Sequence, residues 1–132
     1  MGSDVKLLLD TCTFVWLASE SARLSRRARK ALDAMDSELV LSDASVLELC
    51  LKWTAGKITL PSPPRVWVEE QAGIWHLERA PLSAAHYYRV TELPDVHRDP
   101  FDRLLVAQAI EAGLTLVSPD RELRAYPVAT LW

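Results

Sequence analysis

The stretch DPFDRLLVAQAIEAGLTLVSPD, residues 99–120, decides the fold class. Pro100 suits the first position of a helix, and Asp99 before it is a ready N-cap. Phe101, Leu104, Leu105, Gln108 and Ala112 trace a mostly apolar face at helical spacing. Gly113 marks the end of that helix. Leu114 to Val117 then forms a short apolar run of the kind a buried strand needs, and Asp120 lies just beyond it. The unit is helix, stop, strand, acid.

The same pattern recurs outward along the chain. Val5 to Leu9 is a continuous apolar-rich run with Asp10 directly after it. Phe14 to Ala18 predicts a helix, and Ser25 caps a second one reaching Met35. Leu39 to Leu41 predicts another strand; Ser42-Asp43 caps a helix through Leu49 and Trp53 to Ala55, where Gly56 can end it. Pro61, Pro63 and Pro64 form a stiff connector. A short helix is expected from Arg65 to Gln71, an extended stretch from Ile74 to Leu77, a Ser83-capped helix through Val90, a polar loop from Asp95 to Pro100, and a last strand from Val128 to Leu131. Strands alternating with helices imply an α/β fold with a mainly parallel sheet covered on both faces.

At 132 residues the chain fits one domain, 1–132, with Met1-Gly2-Ser3 given no meaning. No apolar run approaches the roughly 18–20 residues of a membrane helix, and no signal peptide is visible. Two cysteines inside apolar segments suit a reducing cytoplasm better than a disulfide or zinc framework. The net charge of −3 excludes nucleic-acid binding through bulk charge alone, so any such binding needs local basic patches or bound metal. Arg26-Arg27-Ala28-Arg29-Lys30 reads as a solvated helix face. Five tryptophans is a high count, and Trp16 and Trp53, each beside an acidic motif, are interface candidates.

Eighteen acidic residues say little by number; their placement says more. Asp10 follows the first strand, Glu48 sits in the helix after the second, Asp120 follows the Leu114–Val117 strand, and Asp99 and Asp102 open the strongest helix. In a parallel sheet the strand exits share one edge, where ligands bind. Carboxylates gathered there repel unless a counter-charge intervenes, and an all-oxygen set favours Mg²⁺ or Mn²⁺. Such a site points to phosphodiester hydrolysis. Each acid has a plainer reading. Asp99 and Asp102 can serve the helix cap and dipole, Glu48 can pair with Lys52 one turn on, and Asp120 after Pro119 can shape a turn. Asp10, directly after a buried strand, is hardest to assign to turn duty.

Leu7-Leu8-Leu9-Asp10-Thr11 resembles the opening of PIN domains. Ser45-Val46-Leu47-Glu48-Leu49 with Lys52, then Gly56-Lys57-Ile58, resembles the second motif of VapC-like members. His97-Arg98-Asp99-Pro100-Phe101-Asp102-Arg103-Leu104-Leu105 resembles the third, and Leu116-Val117-Ser118-Pro119-Asp120 the fourth. The resemblance implies a three-layer α/β/α sandwich and a Mg²⁺- or Mn²⁺-dependent endoribonuclease. It also implies the toxin of a toxin–antitoxin pair, restrained by an antitoxin protein and dimeric. Asp10, Glu48 and Asp102 match the central acids; Asp99 and Asp120 match acidic positions of more variable role. Thr11 and Ser118 match small polar positions that hold a carboxylate or a water. Arg103 and Lys52 are candidates for phosphate contact or for plain surface charge. A catalytically inert PIN-like module binding RNA or protein is the alternative, as is a DNase on the same fold. A phosphatase with an Asp10 nucleophile fits poorly, because Cys12 stands where that chemistry wants a second acid.

Overall fold

The computed structural model describes residues 5–96 and 99–132; His97 and Arg98 of the third motif lie outside the described residues. Five strands, β1 (Val5–Leu9), β2 (Ser37–Ser42), β3 (Glu78–Ala80), β4 (Thr115–Val117) and β5 (Thr130–Leu131), form one sheet in the order β3-β2-β1-β4-β5, with every pairing parallel. The helices are α1 (Thr11–Ser19), α2 (Arg26–Asp33), α3 (Asp43–Thr54), α4 (Pro64–Ile74), α5 (Ala84–Thr91) and α6 (Pro100–Ala112), with short 3₁₀ helices at Ser21–Arg23 and Arg121–Ala125.

The central strand shows why the sheet is covered twice. Leu7 and Leu9 enter one core, with Phe14, Leu41, Leu49, Trp67 and Val117. Leu8 points the other way, into a second core with Val40, Leu105, Val106 and Leu116. All three leucines are fully buried, as strand alternation between two helical layers requires. Helices α1 to α4 supply the first core, while α6 covers the opposite face with α5 packed on it. The expected three-layer α/β/α sandwich is what forms.

The helix ends follow the sequence closely. Ser25 and Ser42 accept hydrogen bonds from Ala28 and Ala44 as N-caps, and Gly113 closes α6 with φ +67°. One expectation is displaced. Residues Ile74 to Leu77 are not extended: α4 continues to Ile74, and His76 turns the chain with φ 53°. The strand therefore starts later, at Glu78, where it pairs with Ser37–Ser42 through Val40, Leu41 and Ser42. Arg26, Arg27, Arg29 and Lys30 are exposed around buried Ala28, the solvated face the composition suggests.

Strand order fixes where a site can be. From β1 the chain crosses to β2 on one side, and β4 lies on the other. The sheet thus reverses its winding between β1 and β4, and a crevice opens at their C-terminal ends. Asp10 leaves β1 there, and Ser118 leaves β4.

Candidate active site

At that crevice a cavity of about 280 Å³ is lined by Asp10, Thr11, Cys12, Glu48, Lys52, Asp99, Asp102, Pro119 and Asp120. All five acids singled out in the sequence therefore face one space, although they come from four separate segments. Lys52 is the one basic residue among these lining residues.

Asp10 caps α1. Its Oδ1 accepts the Thr13 N–H at 2.8 Å, and its carboxylate accepts the Cys12 thiol at 3.4 Å. The residue is 5% exposed. Burial raises its pKa above the ordinary value; hydrogen bonds from Ser118, Thr13 and Cys12 pull it down without cancelling that effect. Thr13 completes the anchoring by donating its hydroxyl to the Val117 carbonyl at 3.0 Å, which ties α1 to the end of β4. Burial, and next the charge of Asp10, push the Cys12 thiol far up. It stays protonated at neutral pH and is no nucleophile.

Glu48 is likewise buried. Its Oε1 accepts the Thr11 hydroxyl, and its Oε2 lies 3.1 Å from Lys52 Nζ. The helical pairing of Glu48 with Lys52 expected from their spacing is thus present at the cavity wall, with Glu48 buried and the Lys52 side chain still exposed. Desolvation lowers the Lys52 pKa, yet the hydrogen bond and charge of Glu48, with the charge of Asp99, outweigh it and leave the ammonium raised.

The remaining acids stand at helix N-termini. Asp99 Oδ1 accepts from Phe101 N at 2.9 Å and from Asp102 N at 3.3 Å, so it caps α6 while lining the cavity. Asp102 sits in the first turn of α6. Asp120 caps the 3₁₀ helix through Glu122 N at 2.9 Å, and its own N–H donates to Ser118 Oγ at 3.1 Å. Ser118 therefore touches both Asp10 and Asp120. Capping and cavity lining coincide in Asp99 and Asp120.

Arg103 departs from expectation. It does not line the cavity; its guanidinium is engaged by the Val90 and Pro94 carbonyls and the Tyr126 hydroxyl. It is therefore bonded to protein acceptors rather than left as a loose surface charge. Sequence reasoning also passed over Thr13, whose offset of three from Asp10 is a capping signal, and Cys12 as part of the cavity wall.

A family model for the PIN domain matches residues 7–129. The chain belongs to the PIN-domain family. It is 34% identical over 131 residues to Ribonuclease VapC22 of Mycobacterium tuberculosis, covering 96% of this chain and 98% of that protein. Among solved structures, the DNA-bound VapBC2 of Rickettsia felis aligns with a TM-score of 0.73 at 18% identity, over 96% of this chain and 97% of that one. The DNA-bound VapBC of Salmonella typhimurium aligns at 0.67 and 18%, over 96% of each chain. These two likenesses show the PIN fold that the sheet order and layers describe.

Among the described residues no three acids, thiols or imidazoles stand as a preformed metal centre. The donor set still suits a hard divalent cation. It offers carboxylate oxygens from five residues, and Lys52 can neutralise no more than one of their charges. Two of those acids are also buried, where unbalanced charge is most costly.

Proposed function

We propose that this PIN domain is a divalent-metal-dependent endoribonuclease, the toxin of a toxin–antitoxin pair. The observation that carries the reading is the ring of five carboxylates, from four segments, around one cavity at the reversal point of a parallel sheet. RNA is a polyanion, so such a cavity would repel it without a cation. The ribonuclease named among its relatives, matched over nearly the full length of both chains, supports the substrate class.

Asp10, Glu48 and Asp102 would hold the ion, with Asp99 and Asp120 completing the set directly or through water. A Mg²⁺ or Mn²⁺ bound there supplies positive charge for a phosphate and acidifies a water. The chain's own groups do the positioning. Thr11 fixes Glu48, Ser118 and Thr13 fix Asp10, and Asp99 fixes the first turn that carries Asp102. Lys52 balances Glu48 and stands at the cavity wall, where a substrate phosphate would meet it.

The likeness to the VapBC structures supports an antitoxin as this chain's protein partner. Leu47, Leu51 and Trp53 expose apolar surface on α3 and are available to an antitoxin or to a second copy in a homodimer. No helix among the described residues is long and apolar enough to cross a membrane.

The test is RNA cleavage by Asp10→Asn and Asp102→Asn in Mg²⁺ or Mn²⁺. Both should lose two to three powers of ten in rate, the equivalent of about 3–4 kcal/mol, and chelation should abolish the parent's activity. Folded variants that cut RNA like the parent would overturn the assignment.

A further inference from the structure

We propose that Arg103 is a positioning residue that sets Asp102 and Asp120 in their mutual geometry; the proposal rests on reading these acids as the ion-holding set. Arg103 follows Asp102 on α6, so the two side chains leave the helix about 100° apart. Asp102 faces the cavity, and Arg103 faces a pocket of acceptors. Its Nη2 donates to the Val90 carbonyl at 2.8 Å, and its Nη1 to the Pro94 carbonyl at 2.9 Å and the Tyr126 hydroxyl at 3.1 Å. The guanidinium carbon also lies 5.9 Å from the Tyr126 ring centroid.

Those acceptors belong to two other parts of the chain. Val90 and Pro94 lie at and just beyond the end of α5. Tyr126, which is buried, directly follows the 3₁₀ helix that Asp120 caps. One planar fork thus fastens the first turn of α6 to the segment 120–126. Rotation of α6 about its axis would carry Asp102 out of the cavity, and the three donations resist that rotation. The geometry needs a guanidinium: an ammonium cannot spread planar donors over acceptors on separate segments.

The experiment uses the full chain with Arg103→Met, Arg103→Lys and Tyr126→Phe. Mn²⁺ binding is read by calorimetry, folding by thermal melting, and RNA cleavage is measured across Mn²⁺ concentrations. Folded Arg103→Met should bind Mn²⁺ about tenfold more weakly, the usual size of a loss behind a ligand shell. Arg103→Lys should recover little, and Tyr126→Phe, which keeps the ring, should lose about two- to threefold. Raised Mn²⁺ should restore part of the cleavage. The deciding readout is a double-mutant cycle: Asp120→Asn should weaken Mn²⁺ binding in the parent but hardly further in Arg103→Met. A purely structural Arg103 would leave the Asp120→Asn effect equal in both backgrounds, and that result overturns the proposal. So does a folded Arg103→Met that binds Mn²⁺ like the parent. If Arg103→Met does not fold, the same cycle with Tyr126→Phe decides. A parent that binds no Mn²⁺ and cuts RNA in chelator would instead overturn the ion-holding reading itself, and this proposal with it.

Discussion

The two sides of the acidic cavity are built on different principles. Asp10 and Glu48 are buried: Asp10 caps α1 through the Thr13 N–H and is also bonded by the Ser118 and Cys12 side chains, while Glu48 is held by Thr11 and Lys52. Asp99, Asp102 and Asp120 are half-exposed and sit at helix starts, where backbone N–H groups and the helix dipole favour negative charge. The first side holds its charge at the expense of desolvation; the second is stabilised by local structure whether or not a ligand arrives. A cation should therefore relieve the buried side most, and the capped side should tolerate its absence.

The sharpest way to break this contrast is Thr11→Val, which keeps shape and removes the hydroxyl from Glu48. A buried hydrogen bond to a charged group contributes about 2 kcal/mol. Urea unfolding should show a loss of about that size, and RNA cleavage should fall about tenfold with the freed carboxylate. Thr11→Ser should recover both. Unchanged stability in Thr11→Val would mean the tether on Glu48 is not what holds it.

The contrast also explains what the sequence could and could not disclose. Strand exits were readable because apolar runs stop abruptly at Asp10, at Ser42 and shortly before Asp120, and parallel topology sends such exits to one edge. Caps were readable because their spacing is local, as with Asp99-Pro100 and Ser25. Tertiary partners were not. An arginine in an amphipathic helix reads as solvent-facing or substrate-facing, and nothing local discloses that Val90, Pro94 and Tyr126 close around Arg103. Buried Gln108, bonded to Ser42 and to the Ala80 and Pro81 carbonyls, is the same case. The shift from Ile74 to Glu78 arose from His76, whose left-handed backbone is uncommon for a residue other than glycine.

A second, smaller effect concerns pH. Asp10 binds its proton more tightly folded than unfolded. Below its unfolded pKa, roughly 3.9, both states are protonated and the buried site carries no penalty. As pH rises through the raised folded value, the native state must give up that proton, and the contribution is lost. Above that unfolded value the metal-free protein is therefore destabilised by the burial of Asp10. Asp10→Asn should melt on the order of 3 °C higher than the parent in chelator at pH 7, and the gain should vanish in acid. Adding Mn²⁺ should reverse the ranking, because only the parent gains stability by mass action. An Asp10→Asn protein less stable than the parent in chelator would mean the hydrogen bonds to this carboxylate outweigh its burial.

The smallest effect separates capping from ion binding on the exposed side. Asp99→Ala removes the acceptor for Phe101 and Asp102 N–H and should lower stability by about 1 kcal/mol. Asp99→Asn keeps an acceptor oxygen in place, so its stability should stay within a few tenths of a kcal/mol of the parent. Any further loss in Mn²⁺ affinity or cleavage by Asp99→Asn then belongs to the charge alone. If Asn matches Asp in both assays while Ala fails in both, Asp99 acts only by fixing the turn that presents Asp102. The exposed side would then contribute geometry to the ion, and the buried side its charge.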